Sequence, residues 1–272
     1  MRFGVKINQN GLAWPELLAR IRYAESLGFA GAFIFDHFRS GDPPEDCMEA
    51  WSLLAALAAS TEQIRLGALV TGVTFRPPGV LAAQAVTVDR ISGGRLELCI
   101  GAAWNEEEHR TLGLAFPCDR ERAERLEEAV HVIRLVMTKD DARFEGRHYA
   151  LDGASYRPRP VQQPHPPVWI GAGGDRRTIP IAARRADVWH CFSPLEELPA
   201  KVEVFERHAR EAGRDPGTIL RAANVELNEP IEVVGRKVDE LEALGFGYVI
   251  AHWFDADHAP LDEFARIVMG RS

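Results

Sequence analysis

Ser92-Gly93-Gly94-Arg95-Leu96-Glu97-Leu98-Cys99-Ile100-Gly101-Ala102-Ala103-Trp104-Asn105-Glu106-Glu107-Glu108-His109 is the stretch on which the architecture turns. An apolar strand, Leu96 to Ile100, runs directly into Gly-Ala-Ala and then into an acidic segment opened by Trp104-Asn105. Small residues let the backbone come close to a flat group, and the carboxyl end of a barrel strand is where an enzyme of that fold holds one. Taken alone, the segment reads as strand, turn and helix.

The same alternation extends in both directions. Upstream come the strands Phe3–Ile7, Gly31–Phe35 and Ile64–Val70. Between them lie an amphipathic helix (Leu17, Leu18, Ile21, Ala24, Leu27) closed by Gly28, a helix from about Met48 to Ser60, and another from about Val80 to Ile91. Downstream the pattern pauses for a long helix, Glu121 to Met137, with Leu126, Ala129, Val130, Ile133 and Val136 on one face. A hairpin between Arg143 and Pro160 follows, and then a proline-rich connector, Pro158 to Pro167. Alternation resumes with strands Val168–Ile170, Asp187–Cys191, Ile219–Val225 and Tyr248–Ala251. Helices Thr178–Arg185, Leu195–Ala212, Ile231–Leu244 and one from Leu261 lie between and after them.

Eight strands each followed by a helix predict an α/β fold, a single (β/α)8 TIM barrel over residues 1–272, with the long helix and hairpin inserted between strands 4 and 5. Near-continuous apolar strands suit a parallel sheet covered on both faces. A doubly wound open sheet is the alternative; the count of eight and the lack of an early GxGxxG loop disfavour it.

With 272 residues, 46% of them hydrophobic, the chain can bury a large core. A net charge of −8 disfavours nonspecific binding to nucleic acid or to an anionic membrane. Cys47, Cys99, Cys118 and Cys191 form no CxxC pair and read as reduced thiols of a cytoplasmic protein. A strand begins at once after Met1, and no run reaches the length of a membrane span, so neither a signal peptide nor a spanning segment is expected.

In a barrel the chemistry lies just beyond the strands' carboxyl ends. Strand 2 ends in Asp36-His37-Phe38. His37 there either exchanges protons at the mouth or serves a loop as a structural hydrogen-bonding group. After strand 3, Gly72 among β-branched residues marks a bulge or a close approach, and Arg76 reads as a solvated surface arginine, with an anion partner as the alternative. Glu106 to Glu108 read as the exposed, acid-rich first turn of a helix. Gly171-Ala172-Gly173-Gly174-Asp175-Arg176 before a helix presents free N–H groups suited to a phosphate, or makes only a tight turn. Strand 6 ends at Trp189-His190 and strand 8 at His252-Trp253-Phe254-Asp255; both histidines read as bystanders as readily as catalysts. HExxH, clustered Cys/His ligands and GxSxG are all missing, which disfavours metal-dependent hydrolysis and serine-type acyl transfer; no metal is expected.

Five segments together carry a resemblance. They are Phe35-Asp36-His37-Phe38, Val70 to Pro77, Asp89 to Leu96, Gly101 to Glu106, and Pro160-Val161-Gln162 through Pro166 to Gly174. With these in order the chain resembles the luciferase-like monooxygenase superfamily, in particular its branch of deazaflavin (coenzyme F420)-dependent oxidoreductases. The resemblance implies a TIM barrel, a homodimer, a small-molecule substrate and a flavin-type ring at the strands' carboxyl ends. By motif, Asp36 would contact the deazaflavin and His37 would sit at its reactive face. Leu69-Val70, continuing into Thr71 and Gly72, occupies the place where relatives carry a non-prolyl cis peptide behind the ring. Gly101, Ala102 and Asn105 would line the ring and its side chain; Gly171, Ala172, Gly173 and Gly174, with Arg176 nearby, would take the phosphate.

Two departures qualify the analogy. Sugar-phosphate dehydrogenases of this branch carry a glutamate general acid where this chain has Ala102. The usual tryptophan beyond the Asp-His pair is replaced by Gly41. His37 is left as the leading proton-transfer group. The expectation is hydride transfer between F420 and an organic substrate. The alternatives are an FMN-dependent two-component monooxygenase on the same barrel and a flavin-binding relative without catalysis.

Overall fold

In the computed structural model, which describes residues 1–41, 45–254 and 257–271, eight parallel strands close into a barrel. They are β1 (Arg2–Ile7), β2 (Gly31–Ile34), β3 (Arg65–Ala68), β4 (Leu96–Gly101), β5 (Val168–Gly171), β6 (Val188–Cys191), β7 (Leu220–Glu226) and β8 (Tyr248–Trp253). Closure occurs twice over. β1 pairs with β8, Arg2 opposite Tyr248 through Ile7 opposite Trp253, and β3 pairs with β4 through Leu66 and Leu96. The open doubly wound sheet is thereby excluded.

The helices follow the predicted order: α1 (Trp14–Ser26), α2 (Ala50–Ser60), α3 (Pro78–Ile91), α4 (Glu106–Thr111), α5 (Asp119–Thr138), α6 (Thr178–Arg185), α7 (Leu198–Glu211), α8 (Ile231–Ala243) and α9 (Ala259–Glu263). α1 ends as its sequence dictates: Gly28 takes φ +84°, and the Gly28 and Phe29 amides close back on the carbonyls of Glu25 and Ala24. α5 buries the apolar face read from its sequence and is followed by an antiparallel hairpin, Ala142–Glu145 with Ala150–Ala154. Glu128 on α5 holds the hairpin turn by accepting the amides of Arg147, His148 and Tyr149. Two helices are shorter than their patterns suggest. Pro199 confines the first turn after β6 to a 3-10 turn, Leu195–Glu197, and the last helix passes into a π turn at Phe264–Val268.

Strand alternation sorts side chains into those facing the helices and those filling the barrel. The filling layer comprises Phe33, Leu69, Cys99, Trp169, Val188, Ala222, Tyr248 and Ile250, all buried. Below it, at the amino ends of the strands, Glu97 accepts from the Trp169 indole at 2.6 Å and pairs with Arg65. Above it, the next inward positions form the floor of the mouth: Lys6, Phe35, Gly101, Gly171, His190, Asn224, Glu226 and His252. Register places Lys6 beside His252, and His252 beside Glu226.

Candidate active site

The floor of the mouth has two unlike halves. On the β2–β5 side it is apolar and flat, because glycines stand where side chains would rise. Val70 supplies the cover: a Cβ on Gly101 would lie 2.6 Å from its Cγ2, and one on Gly171 would lie 3.0 Å from its Cγ1. The Leu69–Val70 peptide is cis, as the resemblance implied for this position. A cavity of about 600 Å3 opens above, within the size range of small-molecule sites.

Asp36, His37, Leu69, Val70, Gly72, Gly101, Ala102, Asn105, Gly171 and Gly173 all line this cavity. Four expected residues stand outside it. Thr71 is fully buried behind the wall, its hydroxyl accepting from the Trp51 indole at 3.1 Å. Ala172 is buried, with its carbonyl accepting from the Trp189 indole at 2.9 Å. Gly174 gives its amide to the Thr178 hydroxyl at 3.0 Å, and Arg176 lies exposed in an outer groove with Arg120, Arg177 and Arg184. Asp255 and residues 42–44 of the Arg39–Cys47 loop lie outside the described residues.

Two charges lie elsewhere than their sequence context suggests. Arg76 is not a solvated surface arginine. It grips Asp36 through both guanidinium nitrogens, at 2.6 and 3.1 Å, and also pairs with Glu49, the N-cap of α2. Burial alone would oppose its charge, yet these two carboxylates hold it firmly protonated. Burial pushes the Asp36 carboxyl upward against the pull of that guanidinium. The Asp36 oxygens are thus committed to Arg76 and the Thr71 hydroxyl, although the residue borders the cavity.

Glu108 is the second. Glu106 and Glu107 are exposed, but Glu108 is fully buried. Asn105 caps α4 by accepting the Glu108 amide at 3.1 Å, which turns the Glu108 side chain back toward β2. There one carboxylate oxygen accepts the amides of Phe38 (2.6 Å) and Arg39 (3.2 Å), and the other accepts from His37 Nδ1 at 2.8 Å. Burial opposes its charge, but the His37 and backbone hydrogen bonds hold Glu108 below the ordinary glutamate range. An ionised carboxylate only accepts, so His37 carries its proton on Nδ1 and keeps Nε2 free to exchange one. Asn105 at the helix start is a recognisable N-cap, but the partners of Glu108 just after β2 lie some seventy residues away and leave no local signal.

Other lining residues escaped the sequence reading: Lys6, Asn8, Phe35, Ser40, Phe75, Ala103, Trp104, Thr178 and Phe192. Trp104 is 72% exposed and meets the His37 ring edge-on at 5.5 Å. Asn8 brings to the cavity a buried Oδ1 with no hydrogen-bond partner among the described residues.

A (β/α)8 barrel whose mouth joins a flat apolar floor to a carboxylate–histidine pair defines a class of site suited to a planar cofactor and a proton transfer. The model of the luciferase-like monooxygenase family matches residues 1–263, and the chain belongs to that family. It is 31% identical over 252 residues to an F420-dependent glucose-6-phosphate dehydrogenase of Microbacterium testaceum, covering 90% of this chain and 66% of that protein. It is 27% identical over 232 residues to an FMNH(2)-dependent dimethylsulfone monooxygenase of Pseudomonas putida, covering 82% of this chain and 63% of that one. The chain thus spans about two thirds of the length of these relatives. Among solved structures, the F420-dependent tetrahydromethanopterin reductase of Methanopyrus kandleri superposes with a TM-score of 0.86 at 20% identity, covering 99% of each chain.

Proposed function

We propose that this protein is an oxidoreductase that transfers a hydride between coenzyme F420 and a small organic substrate. The observation that carries this reading is the pairing of a glycine-floored apolar surface with His37 held by Glu108. The residues present fit a flat tricyclic ring: Gly101 and Gly171 leave no side chain above the floor, Val70 offers a smooth apolar face, and Asn8 Oδ1 waits for a donor. When bound, the deazaflavin supplies a hydride-carrying carbon where a flavin has N5.

The protein's own contributions are orientation, desolvation and a proton. Leu69, Val70, Gly101 and Gly171 would seat the ring, and Gly173 and Thr178 line the same cavity. His37 Nε2 gives or takes the proton that must accompany hydride transfer to or from a carbonyl-type carbon. Glu108 fixes the tautomer and stabilises the imidazolium while the proton is on the ring. With Ala102 on the wall, that position offers no carboxyl to do the same work. A homodimer, and a single domain spanning the whole chain, belong to this reading.

Titrating the purified apoprotein separately with F420 and with FMN, followed by fluorescence, tests it. Saturable F420 binding with FMN much weaker is expected. Tight FMN binding and none of F420 would refute it in favour of the two-component monooxygenase; F420 binding without turnover of any acceptor favours the non-catalytic relative.

A further inference from the structure

The other half of the floor opens into a second cavity of about 480 Å3, between the carboxyl ends of β6, β7, β8 and β1. Lys6 and Phe192 form the wall it shares with the first cavity. The chemistry of this half is the opposite of the flat one. Lys6, His190, Asn224, Glu226 and His252 are inward residues of four adjacent strands, Asn224 and Glu226 being two positions apart on β7, and neighbouring strands lie about 4.8 Å apart in the pairing direction.

Their hydrogen bonds leave a specific remainder. His190 Nε2 donates to Asn224 Oδ1 at 2.8 Å, and burial lowers its pKa to about 4, so the ring is neutral. His252 is nine-tenths buried; its Nδ1 meets Glu226 at 3.1 Å and its Nε2 has no partner among the described residues. Lys6 makes no hydrogen bond or ion pair among the described residues. Glu226 attracts it from beyond ion-pair distance, but burial outweighs that and pulls its pKa down. A desolvated ammonium with room in front of it calls for an anion. Lys237, also on the wall, is already paired with Glu229; Ser193 adds one hydroxyl, and much of the rest is apolar: Leu195, Leu198 and Leu241, with Phe192 and Phe254 packed on the rings of His190 and His252 at 4.1 and 3.8 Å. Both phenylalanines are more than two-fifths exposed, ready to cover a ligand body.

We infer that this pocket is the substrate's anchoring subsite, and that the substrate is a small organic acid. Lys6 receives its carboxylate, and Phe192, Phe254 and the leucines enclose its apolar body. Lys6 stands on the boundary of the two cavities, so the carboxylate end of the molecule is the end that borders the flat floor. The assignment of the carboxylate to a substrate rests on the oxidoreductase reading above; the anion site itself does not.

The test uses 4-fluorobenzoate as the probe, its binding followed by 19F NMR on the intact protein, with 4-fluorobenzamide as the uncharged control. Wild-type protein is expected to bind the benzoate saturably, Lys6→Met at least tenfold more weakly, and Lys6→Arg within about threefold of wild type. The benzamide should not distinguish the three. Thermal unfolding confirms that each variant is folded, and Lys6→Arg keeps the test decisive if Lys6→Met is not. No saturable binding by wild type, or equal benzoate affinity in Lys6→Met, overturns the site. Adding F420 separates the two readings. Joint binding of F420 and benzoate is expected; mutual exclusion overturns the assignment to a substrate and gives the site to the cofactor's own anionic chain. Benzoate binding without F420 binding refutes the cofactor reading alone.

Discussion

His190 offers a prediction whose size follows from its surroundings. Its ring is fully buried, and burial, aided slightly by the charge of Lys6, lowers its pKa from 6.5 to about 4. The folded protein therefore favours the neutral ring. As pH falls through 6.5, the unfolded chain takes up a proton that the folded chain refuses until about pH 4. Stability contributed by the neutral ring is fully present above pH 6.5 and is lost toward pH 4. At roughly pH 4.5 the loss from this one group is on the order of 2–3 kcal/mol, from about 1.4 kcal/mol per pKa unit. His190→Gln keeps a donor for Asn224 and removes the titration. Urea unfolding followed by the fluorescence of the buried Trp169, Trp189 and Trp253 reads the difference at neutral pH and near pH 4.5. Wild type should lose on the order of 2–3 kcal/mol more than the variant between the two conditions, whatever the carboxylates common to both contribute. Equal losses would show that the ring is not held neutral and would refute the reasoning.

Two further outcomes concern the first cavity. Gly101→Ala places a methyl 2.6 Å from Val70 Cγ2, and should cost about 1–3 kcal/mol of stability and at least tenfold in F420 affinity. Gly79→Ala, whose Cβ meets nothing within 4 Å, is the control for both; unchanged melting and affinity in Gly101→Ala would contradict the account of the floor. Glu108→Gln should move the His37 proton from Nδ1 to Nε2, because the amide can donate to Nδ1 where the carboxylate only accepted. Ring 15N shifts report the tautomer directly, and an unaltered spectrum would remove Glu108 as the positioning residue.

The barrel was legible because its signals are local. Apolar runs, the glycine closing α1 and the one-sided face of α5 each lie within a few residues, and eight such units in order leave little choice of architecture. The site was legible where it was built from main chain: Gly101 and Gly171 announce themselves as small residues beside a strand, and the Leu69–Val70 peptide was implied by the family resemblance. Side-chain partnerships were not. Three consecutive glutamates differ only by the 100° step of a helix, and which of them meets His37 depends on how α4 is set against β2. Arg76 reads as solvent-facing until α2 brings Glu49 to it. Lys6 looks like the polar end of a first strand; only the closing of β1 against β8 brings it beside His252, near the other end of the chain.

The seal at the base of the barrel leaves binding to the other end. Glu97, Trp169 and Arg65 close the amino end, and among the described residues a layer of buried side chains fills the interior above them. The two cavities above that seal share the wall of Lys6 and Phe192, so a molecule lying across it would occupy part of both, and occupancy of one cavity would be felt in the other.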